Sequence, residues 1–450
     1  MKKIVAFISV LVLAFGLSAQ FKTGMSFRTR AEMFCTNEDY QLWERVTDVR
    51  FRPWLSYTQN EYLSAKWVLE IGDIEFGNKE DGGAKGTDGI NVETKNLFLQ
   101  IRPNDKNTVT FGLQPYKDYH SMILDTDIAG LSWKNKYMVG GKELTSFLAW
   151  FVSEDQGEVY EPDFNTYSFG KTELVADFEY NIDENMKAGV NNLIQFGREP
   201  RSDDGVNVSH SKSTILWFAP YFEGTFDRFY VETAVAFNNI RPENEFIEGD
   251  GDTGYTPQST GGVFSLKTKY DINEDADARF NFLFRDGDGS HEAGWNVYYG
   301  IHSYYQTGLD ILTERSSGLE ERDTQVFSPF TTFPKNPLAG CAGIILPSVF
   351  VDYNITKHLS SLTFIDDMEL TFGLGHAMTA IEMLRKGSDW KWRPESWIGT
   401  ELNLKANITM YESLSLVPYI AVLLPGEWYD YEGDHKPFTK IGMTFKTKLK

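Results

Sequence analysis

Met25-Ser26-Phe27-Arg28-Thr29-Arg30-Ala31-Glu32-Met33 changes parity at every step. Met25, Phe27, Thr29, Ala31 and Met33 fall on one side, and Ser26, Arg28, Arg30 and Glu32 on the other. Successive side chains of a strand point to opposite faces, so the stretch forms a ribbon with one apolar and one charged face. Near the other end of the chain, Ile398, Leu402, Leu404, Ala406 and Ile408 interleave with Gly399, Glu401, Asn403, Lys405 and Asn407 in the same way. The charged face persists from one end to the other, so the apolar face meets either a core or a lipid bilayer.

The gaps between such runs decide which. Clusters of Gly, Asn, Asp and Pro mark the connections. Short ones fall at Thr58-Glu61, Pro103-Asn107, Lys134-Lys142, Asn181-Asn185, Gly224-Arg228, Asp271-Asp275, Asn354-Asp367 and Tyr411-Ser413. Long ones fall at Cys35-Arg45, Gly77-Asn91, Pro115-Asp127, Glu154-Gly170, Arg198-Ser213, Asn238-Gly261, Asp286-Ala342, Thr379-Ser396 and Pro425-Pro437. The two classes interleave strictly. This predicts an all-β fold, a transmembrane antiparallel β-barrel of about eighteen strands, sixteen being the neighbouring even count. Short turns lie at one end and long external loops at the other. A sandwich has no reason to gather its long loops at one end, and a propeller would repeat every 40 to 50 residues or so. At this strand number the lumen is wide enough for water. The largest loop, 286–342, contains Trp295-Tyr305, itself strand-like. Counting it would put the chain ends on opposite sides, so it reads as a structured external loop folding inward. Leu309-Arg315 within it is expected to form a short helix.

Residues 1–19 read as an export signal: Lys2 and Lys3, the apolar Ile4 to Leu17, then Leu17-Ser18-Ala19 before a cut near Gln20. Residues 20–450 then form a single barrel domain. No later stretch has eighteen or more apolar residues, so no helix is expected to span a membrane. The mean hydropathy of −0.36 resembles that of a soluble protein, but polar inward residues dilute the average of any barrel. Aromatic residues make up 15% of the chain, which suits interfacial girdles. The net charge of −21, becoming −23 on loss of Lys2 and Lys3, argues against nucleic acid as a partner. Cys35 and Cys341 are too few for a disulfide scaffold, although in an oxidising compartment the two could pair.

With the charged parity inside, Arg28, Arg30, Arg50, Arg52, Lys66, Lys405, Lys440 and Lys446 share one wall, because closure puts the last strand beside the first. Glu173, Asp177, Glu179 and Glu232 lie across from them, giving a basic wall that faces an acidic one. Some of these charges pair with inward neighbours, and Glu32 near Arg50 and Glu70 near Lys66 are candidates. The clustered arginines offer planar donor forks to carboxylate or phosphate. The Pro115-Asp127 loop is the expected constriction. Its Tyr116, Tyr119, His120, Asp118, Asp125 and Asp127 suit stacking on sugar rings and hydrogen bonds to hydroxyls.

Glu80-Asp81-Gly82-Gly83, Glu248-Gly249-Asp250-Gly251-Asp252 and Asp286-Gly287-Asp288-Gly289 offer alternating carboxylates to calcium, or to a calcium bridge with lipopolysaccharide. None completes the twelve-residue calcium loop, and a solvated acidic surface is the plainer reading. No cofactor and no dedicated metal site is expected. Seven histidines and no Gly-x-Ser-x-Gly or His-Glu-x-x-His leave nothing that assembles a base beside a nucleophile.

The Arg28-x-Arg30 strand, Phe111-Gly112-Leu113-Gln114, and the loop from Tyr116-Lys117-Asp118-Tyr119 through Asp125-Thr126-Asp127 to Gly130-Leu131 resemble outer-membrane porins, especially those of the alginate-export type. The resemblance implies a barrel of this size in the outer membrane of a Gram-negative-type bacterium, passing small anionic or saccharide solutes. It also implies contact with outer-membrane lipid and with the barrel assembly machinery. One departure is that Phe445 is not terminal but precedes Lys446-Thr447-Lys448-Leu449-Lys450, so either Leu449 or Phe445 serves as the assembly signal. Polysaccharide export, or a binding and adhesion barrel, are the alternative readings.

Overall fold

A chain that puts apolar side chains in lipid must satisfy its backbone internally, and among sheets only a closed one does so. The computed structural model describes residues 20–35, 43–79, 82–85, 91–153, 171–201, 209–244, 259–287, 298, 305, 307–312, 343–359, 361–386, 392–427 and 437–449. The first strands are β1 (Gln20–Cys35), β2 (Trp43–Thr58), β3 (Leu63–Glu75), β4 (Val92–Asn104), β5 (Asn107–Lys117) and β6 (Asp125–Val139). Then come β7 (Lys142–Val152), β8 (Thr172–Asn181), β9 (Met186–Arg201), β10 (Ser209–Phe226), β11 (Phe229–Asn244) and β12 (Ser259–Asn273). The last are β13 (Ala276–Arg285), β14 (Ile344–Asn354), β15 (Ile365–Lys386), β16 (Trp392–Met410), β17 (Leu414–Pro425) and β18 (Phe438–Leu449). Each pairs antiparallel with its neighbours in sequence, and β1 pairs with β18 to close an 18-stranded sheet. The expected count of eighteen holds. The expected signal at 1–19 and Cys341 lie outside the described residues.

The turns follow local chemistry. β6 and β7 meet through Gly140-Gly141, both at positive φ (58° and 80°), as a two-residue turn matched to strand twist requires. The connection expected over Lys134-Lys142 is therefore only two residues long. The ladder continues through exposed Lys134 and Lys136 because backbone pairing needs no apolar face. Similarly, β5 runs to Lys117 and β6 starts at Asp125, so Tyr116, Asp125 and Asp127 stand on strands and the Pro115-Asp127 loop shrinks to 118–124.

Outward residues form the lipid face. Leu97, Leu99, Leu131, Leu148, Leu174, Val349, Leu402, Leu404, Ile420 and Met443 are exposed in a mid-height band. Tyr62, Tyr137, Phe226, Tyr270, Tyr353 and Tyr411 ring the short-turn end, while Phe76, Trp150, Phe196, Phe237 and Trp397 ring the other. Two aromatic girdles around an apolar band are the exterior of a membrane barrel.

The interior departs from expectation. On β1 to β6 inward charged residues, among them Glu32, Asp48, Glu70, Lys95 and Asp127, reach into the long-loop half. On β10 to β18 both parities turn apolar through much of the long-loop half: Ile215, Trp217, Ala219, Ala236, Val263, Leu283, Ile344, Leu346, Ala421, Leu423 and Phe438 face inward and are buried. Ile398 joins them. A register shift between Ala377 and Met378 against β16 turns it inward beside Gly399, so it is not on the lipid face where strict alternation puts it. What covers this inner surface is chain. Met122, Ile123 and Leu124 pack on it, as do Tyr298, Tyr305, Leu309, Ile311 and Leu312 of the 286–342 connection. The described residues of that connection pack inward, but the described part of the expected Leu309-Arg315 helix, Leu309 to Leu312, is a bend.

Candidate functional site

The basic residues of β1 and β2 are grouped by register. Arg28 stands opposite Arg50 on one side and Lys446 on the other, so three cations lie in one row across β18, β1 and β2. Like charges directly opposite are unfavourable, and carboxylates interleave with them. Asp48 is buried between Arg28 (2.9 Å) and Arg30 (2.6 Å). Asp73 pairs with Arg28 and lies 3.7 Å from Arg50. Glu70 pairs with Arg52 and lies 3.8 Å from Arg50 and 3.9 Å from Lys95. Arg30 also lies 3.9 Å from Glu32, so four arginines share four carboxylates, and Lys446 adds a further cation to the row.

Two expected pairings are not formed. Glu32 accepts from the Tyr419 hydroxyl (2.7 Å) and lies 3.8 Å from Lys440, because register places it opposite Val46 and not Arg50. Residues four apart on a strand are about 13 Å apart, so Glu70 does not reach Lys66, whose ammonium sits 5.9 Å from the Trp54 ring. Lys440 is buried rather than open to the lumen. Lys405 reaches the lumen but pairs with Asp310 (3.0 Å).

The expected acidic wall is also mixed. Glu173 is fully buried and accepts from Gln195 (2.9 Å) and from Ser153. Asp177 accepts from the Tyr116 hydroxyl (3.0 Å). Glu179 accepts from the Tyr221 hydroxyl (3.0 Å) and lies 3.6 Å from Lys187, which also pairs with Glu223 (2.9 Å). Glu232 meets His120 (3.0 Å) and Lys267 (3.3 Å).

The 118–124 segment joins the two sides. Its Asp118 is buried and accepts backbone N–H groups from Met122 (3.0 Å), Ile123 (2.9 Å) and Leu124 (2.7 Å). Burial pushes this carboxyl above its ordinary range, while the three N–H groups pull it back. The charge is tolerated because its acceptor capacity is used. The grip turns the apolar triplet onto the inner wall and presents Tyr119, His120 and Ser121 to the lumen. Tyr119 stacks on Tyr221 (3.9 Å, 3° between planes), and its hydroxyl donates to Glu223. Burial and that bond raise its pKa. Lys187 sits 5.1 Å from its ring.

Between this segment and β2 lies a cavity of about 800 Å³. Arg50, Arg52, Lys95 and Lys267 line it together with Asp125, Asp127 and Glu232, cations and carboxylates intermingled, and Tyr119 and His120 complete the rim. The expected constriction residues Tyr119, His120, Asp125 and Asp127 come together here with Arg50 and Arg52. Tyr116 lies outside the cavity lining, packed against Phe147 and Phe151. Asp127 pairs with Lys95, and Asp125 accepts from Ser121 (2.8 Å). Of the acidic loops, Asp286 is committed to the fold, accepting N–H groups from Gly262 (2.5 Å) and Tyr298 (2.9 Å).

Sequence reading missed Asp48, Asp73, Lys95, Lys187 and Lys267 as partners, and Glu401 as an anchor. Met122-Ile123-Leu124 and Ile311-Leu312, apolar runs beside Asp in the two segments expected to turn inward, are the signal that these segments pack on the wall.

No protein-family model matches the chain, and no curated protein does. Solved structures do. OccAB1 of Acinetobacter baumannii superposes with a TM-score of 0.55 at 10% identity, covering 95% of this chain and 96% of its own. OccK11 of Pseudomonas aeruginosa gives 0.52 at 8%, covering 95% and 96%. The outer membrane protein OpdK of the same organism, determined with vanillate, gives 0.52 at 12%, covering 96% and 98%. The fold is that of the outer-membrane porins. At these identities the likeness extends to the porin architecture, and the solute has to be argued from the lumen of this chain.

Proposed function

We propose that the protein is an outer-membrane channel for passive passage of small hydrophilic solutes, with preference for anionic or saccharide ones. The observation that carries this reading is the 800 Å³ cavity at the narrowed lumen, lined by Arg50, Arg52, Lys95 and Lys267 interleaved with Asp125, Asp127 and Glu232. A solute there meets the donor forks of Arg50 and Arg52, suited to carboxylate or phosphate. It also meets carboxylates and the Tyr119 ring, suited to hydroxyls and sugar faces. The row of Lys446, Arg28 and Arg50 favours anions on approach from the short-turn end.

The narrower likeness to alginate-export channels fits the anionic preference but not the bore. A polymer needs a continuous basic track, whereas here four arginines share four carboxylates and two inward segments narrow the passage. Hydrolysis is disfavoured on geometry: the Ser121 hydroxyl donates to Asp125 and His120 meets Glu232, so nucleophile and base serve different partners. Residues 1–19 act as the export signal in this reading. On β18 either Phe445 or Leu449 serves as the assembly signal, and the aromatic girdles sit against outer-membrane lipid and lipopolysaccharide.

Single-channel recording of the purified protein in planar bilayers tests the reading. The expected results are open channels, a reversal potential displaced toward the anion side, and concentration-dependent block by vanillate or by acidic oligosaccharides. A protein that inserts without conducting supports the adhesion reading instead.

A further inference from the structure

We infer that Glu401 is a positioning residue that sets both the width and the charge preference of the lumen, by holding residues 307–312 against the inner wall; the inference rests on the channel reading above. Glu401 stands on β16, faces inward and is fully buried. Its carboxylate accepts three successive backbone N–H groups, from Asp310 (2.7 Å), Ile311 (2.9 Å) and Leu312 (2.6 Å). Three convergent N–H groups form an anion-binding concavity, and here a side chain of the wall occupies it. A lone buried carboxylate is costly, so wall and segment each satisfy a group that the other would leave stranded.

The wall is shaped for this contact. A Cβ on Gly375 would come within 2.3 Å of Leu309 Cδ1, and Gly308 adopts φ +94° beneath the Phe350 ring. The Asn281 amide donates to the Thr307 carbonyl (2.9 Å). Docking also delivers a charge. The Asp310 carboxylate lies 3.0 Å from the Lys405 ammonium, so the held segment neutralises one cation of the basic wall. Below it, Lys405 and Arg279 border a second cavity of about 450 Å³. Release of the segment therefore widens the lumen and returns Lys405 to passing solutes.

The two consequences separate in planar bilayers under a KCl gradient, using the full chain. Glu401→Gln sets an amide donor against at least one of the three N–H groups. It is expected to raise unit conductance and to shift the reversal potential toward the anion value. Asp310→Asn is expected to shift the reversal potential in the same direction with conductance unchanged. Leu309→Cys with Gly375→Cys, in a chain whose Cys35 and Cys341 are replaced by Ser, ties the segment to the wall. Added to Glu401→Gln and oxidised, it should restore the native conductance, and a reductant should undo the restoration.

Assembled Glu401→Gln channels with native conductance and native reversal potential overturn the inference, as does a conductance gain that the oxidised crosslink leaves in place. If Glu401→Gln fails to assemble, Asp310→Asn decides, and an unmoved reversal potential overturns the charge role. A native protein that does not conduct counts against the channel reading alone. In that case, modification of Thr307→Cys by a bulky impermeant maleimide still measures docking. Faster labelling with Glu401→Gln than without it supports the hold, and equal rates overturn it.

Discussion

Residues 118–124 and 307–312 each aim three successive backbone N–H groups at one buried carboxylate, but Asp118 belongs to the segment it grips, whereas Glu401 belongs to the wall on which its segment rests. The first grip closes within six residues, between strands that are themselves paired. The second joins positions 89 to 91 apart in sequence, so more chain has to be ordered to make it. The same chemistry thus gives one constriction that stands on its own and another that depends on a remote partner. The first presents an aromatic and charged rim to solute, and the second presents Asp310 to Lys405.

The sharpest way to break this comparison is Asp118→Ala. It leaves three buried N–H groups without their acceptor, at about 1–3 kcal/mol for each that finds no replacement, and it releases Met122, Ile123 and Leu124 from the wall. We expect the largest rise in unit conductance of any single change, with a lower midpoint in heat-modifiability gels. A smaller effect than that of Glu401→Gln would mean that the self-contained grip is not the stiffer one. Next comes Leu124→Ala, which keeps the grip but opens a cavity in the inner core at about 2–5 kcal/mol. Its unfolding midpoint should fall while conductance stays near the native value. Third, Arg50→Ala with Arg52→Ala leaves both segments docked, so its effect should be confined to the reversal potential, moved toward the cation side. A large conductance change there would show that width and charge are not separable in this lumen.

Most of the barrel could be read from the chain because membrane strands obey one local rule repeated eighteen times. Met25 to Met33 carries that rule, and Gly140-Gly141 or Asn181 to Asn185 interrupt it with turn residues whose preferences are local. The inner core was not legible in the same way. Ile215-Leu216-Trp217-Phe218 and Ala421-Val422-Leu423-Leu424 are apolar on both parities, the signature of a strand buried on both faces, but alternation alone assigns one face to water. Whether that inner face meets water or chain depends on where 118–124 and 307–312 come to rest, and such contacts are set by packing over long separations. The ion pairs were misjudged for a related reason. Parity fixes which face a charge is on, whereas its partner depends on inter-strand register, which put Glu32 beside Tyr419 and Lys440 and placed Glu70 between Arg50, Arg52 and Lys95.

The smallest expected effect tests whether the two grips work independently. The Tyr298 hydroxyl donates to the Met122 carbonyl at 3.3 Å, and Asp286 accepts the Tyr298 N–H, so one connection touches the grip of the other. Tyr298→Phe removes only the hydroxyl from a buried ring, a loss of about 0.5–1.5 kcal/mol, and should leave conductance unchanged. Its value lies in a double-mutant cycle with Asp118→Ala and Glu401→Gln, read as unfolding midpoints. If the 298–312 region and the 118–124 segment communicate through this bond, the two grip variants should be non-additive with Tyr298 present and additive with Phe in its place. Additivity in both backgrounds would mean that each segment rests on the wall alone, and that the narrow point of the lumen is two independent parts.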